Sequence, residues 1–248
     1  MISASLIKSE FGKLKRSSIW IVSIIIPIII NIFLFIDLFL RYDNLIVAAR
    51  KKGLNSWELL IKENSGPLMW LNFISVFIAV IAIMVYQVEY DQGSMKSMLS
   101  LPISKMKIFF TKFIIIFSFS CIIVTINTIG LVLVGFIMNF PEKLEILIFI
   151  KYFAFQCLGI MGIVAIHNWI SSLFKNPIVP ITIAVSGFIV SLGLPHELPE
   201  VAKFFPYSHP IHSVEFRFDT NVALIGGIAT TIIFFTIGII EFSQRDIL

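Results

Sequence analysis

The sequence predicts an all-α, polytopic membrane protein with six transmembrane helices. Three observations carry that reading. Of the 248 residues, 58% are hydrophobic and only 14% charged, against roughly 25% charged in soluble domains. The apolar residues gather in six runs close to the ~20 residues a helix needs to cross ~30 Å of hydrocarbon. Runs such as IVSIIIPIIINIFLF do not alternate in polarity, whereas the strands of a transmembrane β-barrel alternate over about ten residues. The expected spans are 19–40, 68–88, 108–138, 146–170, 178–195 and 221–241, forming one membrane domain over 1–248.

Ahead of the first span lies MISASLIKSEFGKLKRSS. No small-residue cleavage site follows the apolar run, so the segment reads as an uncleaved anchor. Asp37 falls at the outer end of span one, within reach of headgroup water. In the first loop, IVAARKKGLNSWELLIKE spaces Trp57, Leu60 and Ile61 helically among charges. This fits an amphipathic helix on the outer interface with Trp57 as its anchor, and it fits a solvated loop equally well. The third run is longer than a span requires, so residues 108–112 are expected at the interface or the helix is tilted. The fifth run is short and bracketed by Pro177, Pro180 and Pro195. After it, prolines at 199, 206 and 210 interrupt alternating apolar and polar pieces, the pattern of a broken helix partly inserted from the outer side.

Lys and Arg near span ends favour the cytoplasm. Lys8, Lys13, Lys15 and Arg16 in the tail, with Lys96, Lys105, Lys107 and Lys112 in the second loop, put both termini inside. Arg41, Arg50, Lys51, Lys52 and Lys62 in the first loop run against that bias. The net charge of +4 follows from topology and gives no evidence of nucleic-acid binding.

Chemistry-bearing motifs are missing. There is no GxxxxGK[ST] phosphate loop, HExxH, CxxC or GxSxG, so no catalytic residue is assigned and the chain does not read as an enzyme. Cys121 and Cys157 both fall inside spans, which does not fit a disulfide framework. His196, His209 and His212 share the fifth loop; they fit polar tips at the membrane boundary better than metal ligands, and no metal site is assigned. His167 and Asn168 read as helix-end or bundle-facing polar groups. Asn31, Asn127 and Gln156 lie deep in spans. Hydrogen bonding between helices, worth about 1 kcal/mol, is the first reading of these three, and lining a pathway is the second. No row of carboxylates serves a proton-driven pump, so energy must come from elsewhere.

The remaining signal is VEYDQGSMKSMLSLPISKMKIFFTK, residues 88–112. Gly93 releases span two from helix and Ser94 can cap a short helix behind it. Met95, Met98 and Leu99 then share one face at i, i+3, i+4, an apolar key with the adaptability of methionine. Pro102 forces a turn after Leu101, and Ser104 restarts the helix of span three. The competing account is an interfacial loop whose lysines bind anionic lipid.

Together with SEFGKLKRSSIW before span one, this stretch resembles the ABC-2 type permeases, the membrane subunits of ATP-binding-cassette transporters. The resemblance implies that the loop after span two is a coupling helix docked in a separate ATP-binding subunit. Glu89, Asp91, Gly93, Met95, Met98, Leu99, Leu101, Pro102 and Lys105 would make the coupling, with motion passed through 89–107 to spans one, two and five. It implies no cofactor in this chain, with ATP and Mg held by two copies of the ATP-binding partner. It also implies a second permease, the same or similar, in a bacterial cell membrane. Within the family the chain looks most like lantibiotic-immunity and peptide-exporting permeases of Gram-positive bacteria, with membrane lipid and an amphipathic or bacteriocin-like peptide as its contacts. Export of small drugs or ions is the alternative. A non-transporting sensor or assembly protein is the rival of another class.

Overall fold

The computed structural model describes residues 4–91 and 104–244. Six of its helices are long and apolar enough to cross a membrane. A short helix, α1 (Ala4–Leu14), precedes them. The spans are α2 (Ile19–Arg50), α4 (Trp70–Asp91), α5 (Lys105–Ile137), α6 (Ile146–Leu173), α7 (Ile178–Glu197), and a last one in which a π-turn at Val222–Gly226 runs into α9 (Gly227–Gln244). Between α2 and α4 lies α3 (Ser56–Ser65); between α7 and the last span lie α8 (Pro199–Ala202) and a 3₁₀ segment at Pro206–Ser213. The all-α, six-span expectation holds.

α6 is the central pillar, packed against α4, α5, α9 and the 3₁₀ segment, while α2 lies on α5 and α7 on α4. Ile25, Ile29, Phe33 and Phe39 on α2 face outward. That pattern suits a surface solvated by lipid, where exposed apolar side chains carry no hydrophobic penalty.

Three boundaries differ from the expected ones for identifiable reasons. α2 continues past residue 40 because no Gly or Pro intervenes before Gly53. Arg41 pairs with Asp37 one turn back, and Ile46 and Ala49 pack on Leu59 of α3. Gly53 then turns the chain at φ 74°, a conformation open to glycine without strain.

The first loop is not an interfacial amphipathic helix or a solvated loop. α3 is closed by a reciprocal Asn55–Glu58 capping box and is buried along most of its length. Trp57 is 2% exposed, inserted among Phe136, Phe140 and Phe149, and its Nε1 donates to the Glu142 carbonyl at 2.9 Å. An indole whose N–H finds a partner can leave the interface.

The start of span three is likewise inside the bundle. Ile108, Phe109 and Lys112 are all 3% exposed or less, covered by α1 and by Phe242 of α9.

The segment after α7 is broken as expected and returns into the bundle. Tyr207 reaches His167 of α6, its hydroxyl 3.1 Å from Nε2. His209 and His212 are buried instead of tipping the boundary, and only His196 of the three is exposed. Glycines make room for this segment: a Cβ on Gly159 would meet the His209 carbonyl at 3.0 Å, and one on Gly187 would meet the Tyr207 ring at 2.5 Å. Among the described residues no group of three or more His, Cys, Asp or Glu is placed to hold a metal ion.

Candidate functional site

The end of the bundle where α4 stops and α5 starts carries four charges in one cluster. Lys112 of α5 and Glu89 of α4 are each 1% exposed, with Nζ 2.9 Å from Oε1. The same ammonium lies 3.1 Å from Oε2 of Glu10 in α1 and donates to the Val85 carbonyl at 3.3 Å. Lys13 closes the ring, ion-paired with Glu10 and 3.1 Å from Glu89. Two cations thus balance two anions.

Bringing one such ion out of water costs several kcal/mol, and only close, hydrogen-bonded partners offset it. Burial pushes the Glu10 carboxyl up, but the Lys112 charge and the charge and hydrogen bond of Lys13 outweigh it and hold the pKa below its ordinary value. For Lys13, burial pulls down and the Glu10 and Glu89 carboxylates pull harder upward, so its pKa is raised.

Tyrosines extend the cluster. The Tyr86 ring lies 5.1 Å from the Lys112 ammonium in a cation–π contact, and its hydroxyl donates to Asn168 Oδ1 of α6 at 3.0 Å. One turn on, the Tyr90 hydroxyl donates to the Ser172 carbonyl at 2.8 Å, satisfying a carbonyl in the last turn of α6. Lys105 at the start of α5 reaches the Ser243 carbonyl of α9 at 3.2 Å. The last turn of α4 is therefore bonded to α1, α5 and α6, and the start of α5 to α9.

At the opposite end the buried contacts between helices are amide, indole and hydroxyl bonds, while the buried Glu63 pairs within α3 with Lys62 at 2.9 Å. Asn64 of α3 donates to Asn127 Oδ1 at 3.0 Å and to the Tyr152 hydroxyl at 3.2 Å. Trp70 Nε1 donates to Gln156 Oε1 at 2.8 Å, and Asn72 donates to Ser191 Oγ of α7 at 2.9 Å.

A family model described as ABC-2 family transporter protein matches residues 6–191, from α1 through most of α7. The chain belongs to that family. It is accordingly a membrane transport subunit, the permease of an ATP-binding-cassette exporter that works with an ATP-binding subunit. No curated protein and no solved structure matches the chain.

Of the residues read from the sequence as coupling to the ATPase, Gly93, Met95, Met98, Leu99, Leu101 and Pro102 lie outside the described residues, as does Ser94. Asp91 is the last residue of α4. Glu89 and Lys105 fall in the polar links just described. Ser104 takes the N-cap position of α5, without a side-chain cap bond. The candidates for lining a pathway do not meet. Asn31 is not bonded between helices: its Nδ2 donates to the Pro27 carbonyl of its own helix at 2.7 Å. Asn127 is bonded to α3 and Gln156 to α4.

The ABC-2 permease's buried charges were missed in part. Glu10 has no role in the sequence reading, and Lys112 stands there as an interfacial, inside-setting cation at the end of the family-like stretch, not as a buried charge. The available signal is FFTKFIII, a lysine seven residues beyond the start of α5 with apolar neighbours ahead, a setting that calls for a carboxylate partner.

Proposed function

We propose that residues 89–107 couple ATP binding to movement of the permease, and that the Glu10–Lys13–Glu89–Lys112 cluster is the joint through which they act. The observation that carries this reading is the Lys112–Glu89 pair, 2.9 Å long and 1% exposed on both sides. It fixes the two helices flanking the loop to each other and to α1. The polar links favour spans three and four as the first to move, rather than spans one and five.

In this reading the loop is cytoplasmic, with both termini on the same side of a bacterial cell membrane. ATP and Mg are held by two ATP-binding subunits, and a second permease of the same or similar kind completes the complex. The chain folds as one membrane domain. An amphipathic peptide of the bacteriocin class is the proposed cargo, as in lantibiotic immunity, and its support is the likeness of the opening segment and compact size to such permeases.

Two experiments test this. Replacing Met98 and Leu99 with Asp puts two charges into an apolar contact, at several kcal/mol unless they find partners, so the ATP-binding subunit should be lost on co-purification. Full retention would make the lipid-binding loop the better account. Lys112→Gln should keep the subunits together and retain ATP hydrolysis while protection against membrane-active peptides falls. Equal protection with hydrolysis intact would remove the cluster from the coupling path.

A further inference from the structure

The basic first loop, which runs against the charge bias of the sequence, forms part of a recess at the α3 end of the bundle. Lys52, Lys62 and Arg217 surround a cavity of about 400 Å³, with Leu54, Pro67 and Phe216 as its apolar walls. No carboxylate is among its lining residues. Lys62 gives one hydrogen bond to Glu63 Oε1 at 2.9 Å. Lys52 and Arg217 form no ion pair among the described residues; Arg217 lies over the Phe218 ring at 5.1 Å. Two cations are thus left uncompensated around a partly apolar hollow.

A second hollow of about 270 Å³ shares Gly66 and Arg217 with the first and is of mixed character, with Met69, Leu192 and Ile211 beside Asn72, Ser191 and His196. The recess sits where α2 ends, α4 begins and α7 ends. Excess cationic charge beside the apolar walls of Leu54, Pro67 and Phe216 is complementary to an anion carried on an apolar tail.

We infer that Lys52, Lys62 and Arg217 form a binding site for a phosphate-bearing amphiphile, with the phosphate between the three cations and the apolar part along Leu54, Pro67 and Phe216. A membrane phospholipid such as phosphatidylglycerol is the occupant this chemistry fits. A free phosphate ester shares the anion but leaves the apolar walls unused.

The test is native mass spectrometry of the full-length permease, delipidated in detergent and titrated with phosphatidylglycerol, phosphatidylcholine or inorganic phosphate. Phosphatidylglycerol should bind in preference to phosphatidylcholine. Lys52→Gln and Arg217→Gln, both at exposed positions, should each weaken it about fivefold, the ratio equivalent to about 1 kcal/mol per basic residue near an anionic surface. Lys151→Gln, at an exposed cation outside this recess, should leave it unchanged, and melting curves of Lys52→Gln and Arg217→Gln should overlay the parent's. Equal binding of the two lipids, or parent-like binding by Lys52→Gln and Arg217→Gln, would overturn the site. Inorganic phosphate binding that Arg217→Gln abolishes, without any preference for phosphatidylglycerol, would make it a site for soluble phosphate and overturn the lipid assignment. None of these outcomes depends on the coupling reading, because the recess and the charge cluster share no residue.

Discussion

Where α4 gives way to α5, the helices are joined by buried ion pairs, Lys112 with Glu89 and Glu10. At the α3 end the buried links between helices are neutral, Asn64 with Asn127 and Tyr152, and Trp70 with Gln156, and the buried Glu63 pairs inside α3, with Lys62. The difference is one of consequence on breaking. A buried ion pair adds little net stability when made, because desolvation offsets attraction, yet removing one partner strands a charge. Such a contact has two favourable conditions, paired or hydrated, and resists anything between. Amide and hydroxyl bonds inside a membrane bundle average well under 1 kcal/mol by measurement and yield gradually. The first chemistry suits a joint that switches between two arrangements, and the second suits a scaffold.

The largest effect should therefore come from Lys112→Met. It leaves Glu10 and Glu89 as neighbouring buried carboxylates sharing the part-exposed Lys13, and breaking a buried pair this way costs about 3–5 kcal/mol. Thermal melting of the purified permease should show a large fall, with recovery in Lys112→Arg. A fall no greater than that produced at the α3 end would erase the contrast.

The pH dependence has a definite sign. Glu10 has a lowered pKa, so its contribution is complete above the ordinary carboxylate value of 4.5 and is lost as pH falls through the lower folded value. Lys13 has a raised pKa, so its contribution is complete below 10.5 and is lost as pH rises through the higher folded value. The contribution of these two groups should be flat between those limits and drop outside both, whereas His209 and His212, held below the ordinary value of 6.5 by burial, oppose folding as pH falls below it. Glu10→Gln should weaken the acid limb, measurable as melting temperature against pH.

At the α3 end, Asn127→Leu removes the acceptor for Asn64 while Tyr152 stays within 3.2 Å of the same donor. The expected loss is about 0.6–1 kcal/mol. A loss comparable with Lys112→Met would mean that the neutral network is as brittle as the ionic one.

The sequence made the six spans legible because run length and composition answer directly to bilayer thickness. The broken segment after α7 was legible for a similar local reason, since prolines at 199, 206 and 210 remove helix donors whatever surrounds them. Burial was not. Trp57 reads as an interfacial anchor from its neighbours Asn55, Ser56 and Glu58, but three phenylalanines from α5, α6 and the loop between them decide its position. Glu10 and Lys112 are 102 residues apart, and only the fold brings them to 3.1 Å. The stretch 88–112 is legible as a family-like motif, since Gly93, Pro102 and the Met95/Met98/Leu99 spacing are local features of the sequence, and the family match agrees with it. The links of the flanking ends of α4 and α5 to α1 and α6 are not.

The smallest effect should come from the exposed pair of Lys151 and Glu215, 2.9 Å apart and bridging α6 to the segment before the last span. Its geometry nearly matches that of Lys112 with Glu89, but the two side chains are 43% and 54% exposed against 1% and 1%. Water solvates each partner whether or not the other is present, salt screens the attraction, and two long side chains lose rotamer freedom in holding the contact. Exposed pairs measured by double-mutant cycles are worth roughly 0.2–1 kcal/mol. Lys151→Gln should shift melting slightly, Glu215→Gln by a similar amount, and the double variant by little more than either, with all three shifts shrinking in high salt. Running the same cycle on Lys112→Gln and Glu89→Gln separates burial from distance as the cause of the contrast. The double variant should recover much of what either single variant loses, because neither charge is then stranded. Coupling energies of equal size in the two cycles would show that separation alone sets the strength, and the distinction between a switching end and a scaffold end would fall.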